Sequence, residues 1–195
     1  ELADIVGRSG LKVLFVWPSF DKADFVGVLA GCPASSLAAL SAVIAYDEGE
    51  PGARMSALAA VLPAHVGLHR YAACLDRAPL ADNAAAPAAG CAIFTTSGTT
   101  KAPKFVLHDQ RTLVAHAFDV VSGYDIDEHA SMLLAPPLCG VFGVANALAM
   151  FAAARPFAMM PAWDARLAAE LIERHRVTHM NATDEAVVQL LELTG

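Results

Sequence analysis

Lysine is scarce in this sequence. Only Lys12, Lys22, Lys101 and Lys104 occur, and the other basic side chains are arginine. Thirteen Lys and Arg stand against 20 Asp and Glu, giving a net charge of −7 and a pI near 5.4. With no basic run, the chain lacks the electrostatic footprint of a nucleic-acid binder. Cysteine is also sparse. Cys32, Cys74, Cys91 and Cys139 form no C-x-x-C pair and sit in apolar or loop contexts, which reads as reduced thiols in a cytoplasmic protein. The seven histidines form no metal pattern. His65 and His69 are four apart, but Gly67 lies between them with no carboxylate near, and His175 and His179 straddle a predicted helix-to-strand change. The opening residues Glu1-Leu2-Ala3-Asp4 are acidic and read as the end of a helix, without the basic and apolar pattern of a signal peptide.

Apolar residues are abundant. They make up 56% of the 195 residues, and the mean hydropathy of +0.46 is high for a soluble protein. The length suits one large domain or two small ones. Residues Ala130 to Ala154 carry no formal charge and are long enough to suggest a membrane span. Pro136-Pro137, Gly140 and Gly143 interrupt the run, so a buried strand followed by a buried helix explains it as well.

Read in order, Glu1 to Ser9 is helical and stops at Gly10. Lys12 to Trp17 is a buried strand ended by Pro18, and Phe20 to Leu29 a helix stopped at Gly31. Val43 to Tyr46 is a second strand, and Asp47 to Gly52 a loop. Short helices are expected from Arg54 to Val61 and from Tyr71 to Leu75. Pro79 to Gly90 is an exposed, alanine-rich connector. Past residue 105 the pattern becomes regular. Asp109 caps a helix to about Val121. Strands at Ser131–Leu134, Phe157–Met160 and Val177–Met180 alternate with helices at Phe142–Ala154, from Asp164 to His175, and from Thr183 onward. Apolar strands alternating with helices predict an α/β fold, parallel strands with helices on both faces.

Between two apolar runs, Cys91-Ala92-Ile93-Phe94 and Phe105-Val106-Leu107, lies Thr95-Thr96-Ser97-Gly98-Thr99-Thr100-Lys101-Ala102-Pro103-Lys104. Two of the four lysines fall here. Hydroxyl donors, ammonium groups and a glycine that lets the backbone approach closely suit a ligand rich in acceptor oxygens, above all a polyphosphate. On composition alone a Thr-rich polar turn explains the stretch equally well. The spacing fits neither the G-x-x-x-x-G-K-[ST] loop nor the G-x-S-x-G elbow.

This stretch resembles the phosphate-binding signature of the adenylate-forming enzymes: the acyl-CoA synthetases, the luciferases and the adenylation domains of peptide synthetases. Their pattern, Thr-Ser-Gly-Thr-Thr-Gly-x-Pro-Lys-Gly, is matched by Thr96 to Thr100 and by Pro103-Lys104. Lys101 and Phe105 stand where the family usually has glycine. Pro136-Pro137-Leu138-Cys139-Gly140-Val141-Phe142-Gly143 is similar to a later family motif, with Gly140 in place of its histidine. The resemblance runs from Glu1 to Gly195. The family's Tyr-Gly-x-Thr-Glu motif, ribose-binding Asp, hinge and late catalytic lysine have no counterpart. It therefore implies an internal fragment of the large N-terminal domain, with residues 1–86 from a first α/β subdomain plus connector, and 87–195 holding the signature hairpin and part of a second.

The resemblance implies an ATP-dependent carboxylate-activating ligase, forming an acyl-adenylate and then a thioester with CoA. It assigns the ATP phosphates to Thr96, Ser97, Gly98, Thr99, Thr100, Lys101 and Lys104, with Lys104 catalytic and Thr99 or Thr100 touching Mg²⁺. It assigns the acyl pocket to Pro137, Leu138, Cys139, Gly140, Phe142 and Gly143, whose apolar character suggests an apolar or aromatic acid. For a fragment, uncovered apolar surface predicts self-association and no adenylation on its own. The departures at Lys101, Phe105 and Gly140 leave open a non-catalytic ATP-binding or scaffold module of the same fold.

Overall fold

The computed structural model describes residues 1–20, 23–46, 52–80, 85–96 and 103–193. The chain separates into two compact units, Glu1–Asp82 and Asn83–Gly195; the sequence reading divides it at 86/87.

In the first unit, helix α1 (Leu2–Ser9) buries Val6 and ends where Gly10 takes the left-handed conformation, φ 63°, a turn that costs glycine little. Three parallel strands follow, β1 (Val13–Val16), β2 (Ala42–Ala45) and β3 (Gly67–Arg70), in the order β1-β2-β3. Val13 pairs with Ala42 and Val43 with Leu68. Helix α2 (Phe25–Ala30), a single 3-10 turn (Ala34–Leu37), α3 (Ala53–Val61) and α4 (Tyr71–Leu75) connect them. Leu29, Leu37, Leu40, Val43 and Leu58 form the centre of the core.

Three expectations change here. Helix α2 starts at Phe25 because the Asp24 carboxylate accepts the Gly27 N–H at 3.1 Å and caps it. Strand β1 is covered on one side only. Leu14 and Val16 turn to the core, whereas Phe15 is 64% exposed, the period-two alternation of a strand with one covered face. Strand β3 was not legible, since Gly67-Leu68-His69-Arg70 carries one strong apolar residue; the ladder to β2 makes it a strand. The expected loop at 47–52 lies, but for Gly52, outside the described residues.

The second unit opens with an antiparallel hairpin, β4 (Gly90–Thr96) and β5 (Lys104–Asp109). Helix α5 (Gln110–Gly123) follows, capped by Asp109. The Thr112 N–H, 2.7 Å from Asp109 Oδ1, and then the Thr112 hydroxyl hold this carboxyl below the usual carboxylate range. The cap is therefore at full strength above that range and is lost as falling pH protonates it.

Then strand and helix alternate: β6 (Met132–Leu134), α6 (Val141–Ala152), β7 (Phe157–Met159), α7 (Ala165–His175), β8 (His179–Asn181) and α8 (Asp184–Glu192). The sheet is parallel, in the order β7-β6-β8. All three residues of β6 are buried, as a central strand between two helical layers requires. Asp164 caps α7 through the Leu167 N–H at 3.0 Å, and Thr183 caps α8 through the Ala186 N–H. The uncharged run at 130–154 is thus a buried strand and a twelve-residue helix. No helix among the described residues is long and apolar enough to cross a membrane.

Two contacts fix α6. The buried Asn146 side chain donates to the Phe142 carbonyl at 2.9 Å and accepts from Asn181 Nδ2 at 2.7 Å, tying the helix to the end of β8. Gly143 lies against the preceding loop, where an added Cβ would fall 2.7 Å from the Pro136 carbonyl oxygen and nearer still to that of Pro137. Asn146→Ala removes both side-chain bonds and takes from the part-buried Asn181 amide the oxygen it donates to, and chemical denaturation should show a loss of about 1–3 kcal/mol. Gly143→Ala pushes backbone against backbone, which side-chain rotation cannot relieve. It should lower stability by roughly 1–3 kcal/mol in the same assay, and a wild-type midpoint would contradict the packing described.

Candidate functional site

The β4–β5 hairpin positions the first group of expected residues. Pairing sets Thr96 directly opposite Lys104, and both side chains are exposed. Paired Cα atoms in an antiparallel ladder lie about 5 Å apart, so a hydroxyl and an ammonium stand side by side where the chain leaves the hairpin. Ser97, Gly98, Thr99, Thr100 and Lys101 lie outside the described residues. Phe105, at the position where glycine was expected, pairs with Thr95 one step down the ladder and is partly buried. Below it Phe94 meets the His108 ring edge-on, centroids 5.5 Å apart.

The second group surrounds the start of α6. A cavity of about 460 Å³ is lined by Pro136, Pro137, Gly140, Phe142 and Gly143 on one side, and by Trp163, Ala182, Thr183, Glu185, Ala186 and Gln189 on the other. Pro137, Gly140, Phe142 and Gly143 are therefore brought together. Leu138 and Cys139 are exposed and do not line the cavity. The residues that sequence reasoning missed are Trp163, Glu185 and Gln189. Their signal is topological: residues 135–143, 163 and 182–189 follow the carboxyl ends of β6, β7 and β8, the edge at which open α/β sheets bind ligands.

A polar chain crosses the cavity wall. Trp163 Nε1 donates to Gln189 Oε1 at 2.7 Å, and Gln189 Nε2 donates to Glu185 Oε1 at 3.4 Å. A second cavity, about 550 Å³, lies on the other side of the first turn of α6, between Val141 and Val144 on α6, Phe94 and His108 on the hairpin, and Arg111 and His116 on α5. Among the described residues no cluster of three or more His, Cys, Asp or Glu could hold a metal ion. The expected metal contacts, Thr99 and Thr100, are outside them.

Solved structures share this architecture. A protein from Rhodopseudomonas palustris CGA009 assigned as a long-chain-fatty-acid CoA ligase superposes with a TM-score of 0.66 at 19% identity, over 98% of this chain and 56% of its own. The o-succinylbenzoate CoA synthetase of Bacillus subtilis, in complex with ATP and magnesium ion, gives 0.64 at 15% identity, over 98% and 44%. The luciferase-like enzyme of the mealworm Zophobas morio gives 0.60 at 15%, over 97% and 52%. The chain thus spans about half the length of these structures, and the fold is similar to the N-terminal part of adenylate-forming enzymes. No curated protein matches it by sequence. The family match covers residues 1–195 without interruption, and on that ground the chain belongs to the AMP-binding enzyme family.

Proposed function

We propose that the enzyme containing this chain is an AMP-forming, acyl-CoA synthetase-like ligase. It joins a carboxylic acid to the AMP moiety of ATP with release of pyrophosphate, and then transfers the acyl group to the thiol of CoA. The observation that carries this reading is the hairpin that sets Thr96 opposite Lys104, on either side of the hydroxyl-rich sequence 97–102. The donor set fits a polyphosphate, because hydroxyls and ammonium groups all donate to acceptor oxygens.

In this reading Thr96, Ser97, Gly98, Thr99 and Thr100 hold the β- and γ-phosphates. Lys104 neutralises charge that develops on the departing pyrophosphate, a task suited to a preplaced cation. Lys101 adds a second cation. Thr99 or Thr100 holds Mg²⁺, which when bound supplies further charge neutralisation at the phosphates. The B. subtilis synthetase in complex with ATP and magnesium ion, alike in fold, supports the choice of nucleotide and metal.

The 460 Å³ cavity receives the acid. Its size falls within the range of small-molecule sites, and Pro136, Pro137, Phe142 and Trp163 give it flat apolar walls, which suit an apolar or aromatic acid. A cytoplasmic location agrees with this chemistry. The exposed Val114, Phe118 and Phe151, which line an apolar groove between α5 and α6, support self-association of the chain when it stands alone. One observation favours a second reading, a non-catalytic ATP-binding or scaffold module: Gly140 lines the cavity without a side chain where the family motif has histidine.

Lys104→Ala in the enzyme should lower kcat/KM for ATP roughly 10- to 100-fold in a pyrophosphate-exchange assay, the range for a lost charge-assisted hydrogen bond. Lys101→Ala should cost less. Wild-type kinetics for Lys104→Ala would remove Lys104 from the site, and absence of exchange with every acid would favour the scaffold.

A further inference from the structure

The polar chain on the cavity wall narrows the acid that the cavity accepts. The indole N–H of Trp163 can only donate. Its 2.7 Å bond to Gln189 Oε1 therefore fixes the orientation of the Gln189 amide, with the Nε2 group turned toward Glu185, which it meets at 3.4 Å. A carboxylate only accepts, and one bond leaves most of its lone pairs unused. The run Trp163–Gln189–Glu185 thus terminates in spare acceptor capacity with negative charge, beside walls made otherwise of Pro136, Pro137, Phe142 and Ala186. Glu185 is exposed and keeps its water, so a purely hydrocarbon acid gains nothing from that capacity. An acid bearing a second carboxylate would bring like charge against Glu185.

We propose that Glu185, oriented through Gln189 and Trp163, selects acids whose flat apolar body carries a hydrogen-bond donor, a hydroxyl or amino group, remote from the carboxylate, and rejects dicarboxylic acids. The inference rests on the reading that this cavity receives the acid. It makes Glu185 a specificity-determining residue and Trp163 both a wall and a built-in reporter.

The chain has two tryptophans, Trp17 and Trp163. In a Trp17→Phe background the fluorescence of Trp163 reports cavity occupancy directly, with no turnover. Benzoate, 3- and 4-hydroxybenzoate and terephthalate are titrated against it. At least one hydroxybenzoate should bind five- to tenfold more tightly than benzoate, and terephthalate least tightly of all. Adding Glu185→Leu, a change on the exposed first turn of α8, should bring the hydroxybenzoate-to-benzoate ratio within twofold and raise terephthalate affinity. A ratio within twofold before that substitution, or one that survives it, overturns the proposal, as does a Trp163 signal that no acid perturbs.

Pyrophosphate exchange in the enzyme, with the same acids, separates this proposal from the reading beneath it. Exchange without preference among the monocarboxylic acids removes the selectivity and leaves the ligase. A Glu185-dependent binding preference without exchange leaves the selective cavity and removes the ligase.

Discussion

The second unit depends on the burial of β6. Met132, Leu133 and Leu134 are all enclosed, and their amides and carbonyls are held by parallel ladders to β7 on one side and β8 on the other. A strand with no solvent-facing side tolerates neither a register slip nor a polar substitution. It therefore sets the level at which three neighbouring strands end. Leu134 is paired with Met159 and with Asn181, so the loops after all three strands leave the sheet at one height. Because of that shared level, segments separated by tens of residues form one cavity.

The hairpin obeys a different constraint. It is antiparallel, two-stranded and largely exposed, and such a ribbon is marginal without support. Here α5 grows directly from β5 through the Asp109 cap, and Arg111 N–H bonds back to the Pro87 carbonyl at 2.9 Å. The ribbon is thus anchored at its base, and Thr96 and Lys104 stand at its far end.

How much of this was legible in the sequence depended on whether the signal was local. Helices α5, α7 and α8 were readable because Asp109, Asp164 and Thr183 each precede an amphipathic stretch, and each cap is made. Strand β6 was readable because three apolar residues precede a proline pair. Strand β3 was not, since its partner β2, not its composition, makes it a strand. The open side of β1 was hidden for a related reason: Val13 and Phe15 are as apolar as Leu14 and Val16, and composition alone does not say which side is covered. Half of the cavity was hidden because Trp163, Glu185 and Gln189 belong to no motif and acquire a role only when the ends of β7 and β8 are placed beside that of β6.

Gly143 gives the cavity one immovable jaw. Backbone oxygens of Pro136 and Pro137 occupy the space a side chain would need, so at this point the wall of the cleft cannot take one. The opposing surface is made of replaceable side chains, among them Ala182 and Ala186 beside Trp163. Across from Gly143, the size of molecule accommodated changes only through that opposing surface. An alanine there enlarged to valine or leucine would shorten the cleft while its floor stayed where it is.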